Sequence, residues 1–306
     1  MNGIVTKTTG SIYVVMTGDG KRYECKLKGS FRIKGIRSTN PLSVGDNVQF
    51  DYIEEQKMGL IHFLEDRKNY IIRKSTKLSK QQHVIAANIE QAVCIVTLAY
   101  PRTSTGFIDR FLAVTELYHI PAAIVFNKCD LHDEVMKDDV DYLCTLYKHI
   151  GYKCLVTSVI DNIHTEDFKA LLKDKTSLLI GHSGVGKSAL VNVIEPSLNL
   201  KEGRISDYHE KGKHTTTFTE MFPLSFGGFI IDTPGIKEFG MIWVNPEELG
   251  GYFPEMRELL PKCRFYNCTH VHEPDCAVKK ALDEGYIDPG RYKNYLSMLN
   301  DDGVKF

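Results

Sequence analysis

The 306-residue chain contains no apolar run approaching the ~18–20 residues needed to cross a bilayer, which excludes a membrane-spanning helix. Its first residues, MNGIVTKTTG, lack the charged-then-apolar layout of a secretory signal, so export is not expected and a cytoplasmic location is. Internal repeats and low-complexity stretches are missing as well. With 42% hydrophobic and 25% charged residues, disorder and fibrous architecture are also excluded. Net charge is nearly absent too: 38 basic against 39 acidic side chains leave −1. That total argues against a nucleic-acid partner only until it is divided. Residues 1–80 hold 15 Lys and Arg against 8 Asp and Glu, and the remainder holds 23 against 31. A basic front of this kind suits an anionic partner, although a solvated surface without one has the same composition.

The 8 cysteines are unevenly spread. Cys25, Cys94, Cys129, Cys144 and Cys154 lie scattered, mostly in apolar segments, as small buried hydrophobes do. Cys263, Cys268 and Cys276 crowd together. Without an export signal, that crowd points to a metal rather than to disulfides.

Three segments follow one another along the chain. From Gly3 to about Asp66, short runs such as Ser11–Met16, Tyr23–Leu27, Asn47–Ile53 and Leu60–Leu64 alternate with turn signals, which suits a small barrel, OB-like or SH3-like. Residues 67–82 are polar and cationic (Arg73, Lys74, Lys77, Lys80) and read as a linker. Over 83–242, apolar strands at Gln91–Leu98, Ala122–Phe126, Lys153–Thr157, Ser177–Ile180 and Gly228–Ile231 alternate with helices at Ile108–Leu117 and Glu134–Ile150, a doubly wound α/β pattern. Residues 243–306 lose the strands and end helically. The stripe Tyr292, Tyr295, Leu296 and Leu299 there reads as packing.

The α/β segment carries the chemistry. Gly181-His182-Ser183-Gly184-Val185-Gly186-Lys187-Ser188 satisfies G-x-x-x-x-G-K-[ST] between a strand and a helix, the setting in which backbone N–H groups surround phosphate oxygens. Lys187 should reach the β- and γ-phosphates and the Ser188 hydroxyl should bind Mg²⁺, with Ala189 the last of the nucleotide-binding residues in this run. Asn127-Lys128-Cys129-Asp130 follows an apolar strand. An Asp carboxylate there accepts from guanine N1–H and N2–H₂, a donor pair adenine lacks. Asp232-Thr233-Pro234-Gly235 ends another strand, so Asp232 can hold Mg²⁺ through water and the Gly235 N–H can sense the γ-phosphate. Thr157-Ser158 is placed to offer backbone contacts to the base. Between the phosphate loop and Asp232 lies Lys211-Gly212-Lys213-His214-Thr215-Thr216-Thr217, a polar loop able to close a hydroxyl onto Mg²⁺, or simply the start of a strand. Asn127–Asp130 precedes Gly181–Ser188 by about fifty residues, the reverse of ordinary GTPases. Loops at one sheet edge survive such cutting and rejoining, so the pattern is a circularly permuted GTPase. Finally, Cys263-x₄-Cys268-x-His270-x₅-Cys276 supplies a tetrahedral Cys₃His set for one structural Zn²⁺, with His272 able to replace His270.

Together these features closely resemble the ribosome small subunit-dependent GTPase A family (RsgA, YjeQ, YloQ). The resemblance spans nearly the whole chain, through GHSGVGKS, KGKHTTT, DTPG and the C-x₄-C-x-H-x₅-C cluster. It implies an OB-fold N-terminal domain, a permuted P-loop GTPase domain and a mostly helical zinc domain. It also implies a monomeric cytoplasmic factor in late 30S maturation that binds 16S rRNA and GTP or GDP, with no DNA or membrane partner. Hydrolysis in this family is slow alone and stimulated by the small subunit. Ile236 stands where Ras-like GTPases carry a water-orienting Gln, and an aliphatic side chain cannot position water. The family's proposed substitute matches His214, with Thr216 or Thr215 closing on Mg²⁺ and Lys187 stabilising phosphate charge.

Overall fold

A computed structural model describes residues 1–28, 41–73, 83–200, 219–232 and 244–300. The chain forms two compact units, one of Met1–Ala92, Glu166–Ser183 and Lys187–Ile236, the other of Val93–Thr165, Gly184–Gly186 and Lys237–Phe306.

Among the described residues the first unit begins with five strands, β1 (Asn2–Thr8), β2 (Tyr13–Thr17), β3 (Arg22–Leu27), β4 (Asn47–Ile53) and β5 (Met58–Leu64), and alternation of buried with more exposed residues gives β2, β4 and β5 a clear inner face. Their order is β1-β2-β3-β5-β4, and β4 returns to β1 through Gly3↔Val48, which closes the ring. All pairs are antiparallel except β3 with β5, which run parallel. The barrel is therefore of the OB kind, a five-stranded Greek key. Register irregularities at Val5/Lys7 and Gln49/Phe50 supply the local bend that closure requires. Val5, Tyr13, Val15, Cys25, Val48, Phe50 and Ile61 fill the interior.

Within the segment read as a linker, β6 (Tyr70–Arg73) pairs antiparallel with β7 (His83–Ala87). Arg67 is not a free surface cation either: it grips the fully buried Asp46 carboxylate with two bonds of 2.7 Å. Lys74, Lys77 and Lys80 lie outside the described residues.

Then come β8 (Gln91–Val96), α1 (Thr105–Leu117), β9 (Ala122–Asn127), α2 (Glu134–Ile150), β10 (Lys153–Thr157), α3 (Thr165–Leu172), β11 (Thr176–Ile180), α4 (Lys187–Ile194), β12 (Glu220–Pro223) and β13 (Phe229–Asp232). In the first unit β11 lies parallel to β13, with Leu178 beside Ile231, and β12 pairs antiparallel with β13. β12 also pairs with β1 of the barrel, where Lys7 Nζ meets Glu220 Oε2 at 3.1 Å. In the second unit β10 lies parallel to β9, with Thr157 level with Asn127. The helices start and stop for local reasons. Ser104 caps α1 by accepting from Phe107 N, Asp133 caps α2 by accepting from Met136 N, and Gly151 ends α2 at φ +112°.

Among the described residues, the C-terminal part of the second unit holds four α-helices, α5 (Pro246–Leu249), α6 (Pro254–Arg257), α7 (Ala277–Asp283) and α8 (Pro289–Leu299). α8 packs on α1 through a buried charged cluster. Arg291, 2% exposed, donates to Asp109 at 2.6 Å and to both Glu255 oxygens at 2.8 and 3.1 Å. Asn294 and Tyr147 also donate to Asp109. Burial alone would lower the Arg291 pKa; Asp109 and Glu255 more than offset it, and the guanidinium stays charged. Among the described residues no helix is long and apolar enough to cross a membrane.

Candidate nucleotide and metal sites

Strand β9 ends on Asn127, and the chain then turns through Lys128 at φ +64° into the Asp130 turn. Asn127 is buried, with both polar side-chain atoms hydrogen-bonded. Its Oδ1 accepts from Thr157 Oγ1 at 2.9 Å, and its Nδ2 donates to Val185 O at 2.8 Å. That second bond joins the guanine motif to the phosphate loop. It also explains Gly186, where a Cβ would come 2.4 Å from Asn127 Nδ2 on a backbone at φ +93°. Lys128 Nζ donates to Tyr100 O at 2.8 Å. Ser158, fully buried, donates through Oγ to Asp130 Oδ1 at 2.6 Å and accepts from Asp161 N at 3.1 Å.

In the phosphate loop, Lys187 is 4% exposed and its Nζ donates to Gly181 O and His182 O, both at 2.7 Å. The ammonium is thus folded over the loop's own carbonyls, next to where phosphate oxygens would bind. Ser188 at the start of α4 and Asp232 at the end of β13 are both 7% exposed. The parallel register of β11 and β13 puts Asp232 at the carboxyl edge from which the phosphate loop departs. Hydroxyl and carboxylate oxygens at that edge are hard donors suited to Mg²⁺. His214, Thr215, Thr216 and Gly235 lie outside the described residues, as does Ile236.

The cysteine cluster assembles as its spacing suggests. One ligand atom from each of Cys263, Cys268, His270 and Cys276 lies within 4.8 Å of all the others. His270 Nδ1 stands 3.4 Å from Cys276 Sγ and 3.7 Å from Cys263 Sγ. Tetrahedral zinc with Zn–S and Zn–N bonds of ~2.3 and ~2.0 Å needs edges of about 3.5–3.8 Å, so the set fits. His272 is exposed and outside the cluster, so His270 is the histidine brought to the thiols. Burial keeps the His270 imidazole below its usual pKa and hence neutral. Glu273 braces the loop by accepting from Thr269 N at 2.8 Å, Thr269 Oγ1 at 2.7 Å and Val271 N at 2.9 Å. Burial opposes its charge, but these bonds prevail and hold the carboxyl at about 2. Tyr292 and Tyr295, read from sequence as packing, also donate their hydroxyls to His270 O and Thr269 O at 2.6 and 2.7 Å.

Comparison with known proteins agrees with this arrangement. The family model described as RsgA GTPase matches residues 64–242, and that described as RsgA N-terminal domain matches residues 2–61. The chain belongs to the RsgA GTPase family. A curated RsgA relative, "Small ribosomal subunit biogenesis GTPase RsgA" of Phocaeicola vulgatus, is 54% identical over 98% of this chain and 97% of its own. Two solved RsgA-type structures are also similar. The crystal structure of YjeQ from Thermotoga maritima shares 35% identity at a TM-score of 0.79, covering 97% of this chain and 96% of that one. The structure of YloQ, a circularly permuted GTPase, shares 31% at 0.75, covering 97% and 93%. The OB barrel, GTPase segment and Cys₃His region are thus those of an RsgA protein.

Sequence reasoning missed two elements near these sites. The turn Thr97–Ser104 touches both nucleotide motifs but carries no recognisable pattern. Nor does anything in the sequence pair Asp109 with Arg291, because the partners are far apart along the chain.

Proposed function

We propose that the chain is a GTP hydrolase acting in biogenesis of the small ribosomal subunit, converting GTP to GDP and phosphate when bound to 30S particles through 16S rRNA. The observation that carries the reading is the 2.8 Å bond from Asn127 Nδ2 to Val185 O, which ties the Asn127–Asp130 motif to the Gly181–Ser188 motif and so supports their acting on one nucleotide. Asp130, oriented by Ser158, accepts from the base, and Lys128 lies along it. The backbone of Gly181–Gly186 surrounds the phosphates, with Lys187 turning from the loop carbonyls to phosphate oxygens. Ser188 and Thr216 (or Thr215) would hold Mg²⁺, with Asp232 acting on it through water, and the ion would supply positive charge to offset that of the β- and γ-phosphates. Gly235 N–H senses the γ-phosphate, and His214 orients the attacking water in place of the Gln that Ile236 replaces. Cys263, Cys268, His270 and Cys276 hold one structural zinc. The factor would act as a cytoplasmic monomer.

The test is the rate of GTP hydrolysis with and without purified small subunits, with Lys187→Ala as control. Stimulation that Lys187→Ala abolishes is the expected result. Nucleotide binding with no turnover in either condition would leave a GTP-dependent RNA-binding placeholder instead.

A further inference from the structure

The turn between β8 and α1 matches no motif, yet it is built more firmly than a surface connection needs to be. Thr97 Oγ1 donates to Pro101 O across it, and Thr103 N donates to Thr97 O at 2.8 Å. Both threonines are buried. Two further contacts bind the turn to the nucleotide motifs. Lys128 Nζ is fixed on Tyr100 O at 2.8 Å, and Pro101 Cδ stands 3.4 Å from where a Cβ on Gly184 would lie. From this held backbone the Tyr100 side chain projects with 77% of its surface exposed.

A single exposed aromatic is ordinary on a protein surface. Here the backbone that carries the ring is held by the lysine of the guanine motif, and the next residue lies against the glycine of the phosphate loop. An aromatic ring stacks on any base through the π-face, whereas a lysine stem covers a base only by apolar contact.

We propose that the Thr97–Ser104 turn is a third wall of the nucleotide site and that the Tyr100 ring stacks against the nucleoside of bound GTP or GDP. The inference rests on the guanine-nucleotide reading above. The ring touches no γ-phosphate, so it raises affinity for both nucleotides equally and leaves the choice of base to Asp130.

The experiment is calorimetric binding of GDP and of a non-hydrolysable GTP analogue to the full chain. It compares the unaltered protein, Tyr100→Ala, Tyr100→Phe and Tyr286→Ala, a tyrosine 78% exposed elsewhere. Tyr100→Ala should weaken both nucleotides about tenfold. Tyr100→Phe and Tyr286→Ala should stay within about twofold of the unaltered protein. Unchanged affinity in Tyr100→Ala overturns the proposal, including when small-subunit-stimulated turnover falls, since the ring would then serve the partner. A Phe variant as weak as the Ala variant also overturns it, because the ring is retained. Should the unaltered chain bind neither nucleotide, the guanine-nucleotide reading itself fails, a separate outcome. Thermal melting of the nucleotide-free variants checks folding. If Tyr100→Ala melts early, Tyr100→Leu replaces it with the same expected loss.

Discussion

In the proposed function Asp130 reads guanine, and a carboxylate with that task has to be aimed before the base arrives; the Ser158 hydroxyl aims this one. Ser158→Ala removes the 2.6 Å bond to Asp130 Oδ1 and should weaken GTP and GDP about five- to tenfold, lowering the preference over ATP by the same factor. Asp130→Ala should abolish that preference, and competition between GTP and ATP measures both effects. Gly186→Ala should eliminate nucleotide binding altogether, because its methyl would collide with Asn127 on a left-handed backbone; equilibrium binding of GDP checks this. These residues differ in how much the sequence discloses about them. Asp130 and Gly186 sit in motifs whose spacing encodes their roles. Ser158 was legible only as a source of backbone contacts. The target of its side chain depends on the register of β10 against β9, which no local pattern carries.

The elements follow the same division. Barrel strands and core strands declare themselves through alternation or continuous burial, while β6 is four residues inside a stretch dominated by cations. The stripe on α8 is visible as a helical face, but the two hydroxyls that it sends to Thr269 and His270 are not. The Arg291 cluster is opaque to sequence because its partners come from separate helices. Arg291→Met should lower stability by about 3–5 kcal/mol, since Asp109 and Glu255 would lose the counterion and hydrogen bonds that offset their burial; a thermal or denaturant melt reads the loss. Chelation of zinc should likewise lower the melting temperature. Cys268→Ser should reduce bound zinc below one per chain, measured by metal analysis of the purified protein.

For the whole molecule, the near-zero charge conceals a basic leading segment. Structure trims that segment, because Arg67 is consumed by Asp46. It also leaves Arg22, Lys26 and Lys28 exposed at and just beyond β3. Arg22→Glu/Lys26→Glu/Lys28→Glu should weaken small-subunit binding more than about tenfold at low salt while preserving GDP affinity, as co-sedimentation and calorimetry would show. The permuted motif order was legible throughout, since order is a property of sequence; the grouping of the C-terminal helices with Val93–Thr165 in one compact unit was not. That grouping has a genetic consequence. A premature stop upstream of Arg291 deletes the counterion of Asp109 together with nearly all of α8, stripping α1 of the helix packed on its Asp109 face. Late nonsense alleles of this gene should therefore behave like destabilising missense alleles of α1, and the helical tail is not a cassette that evolution can exchange freely.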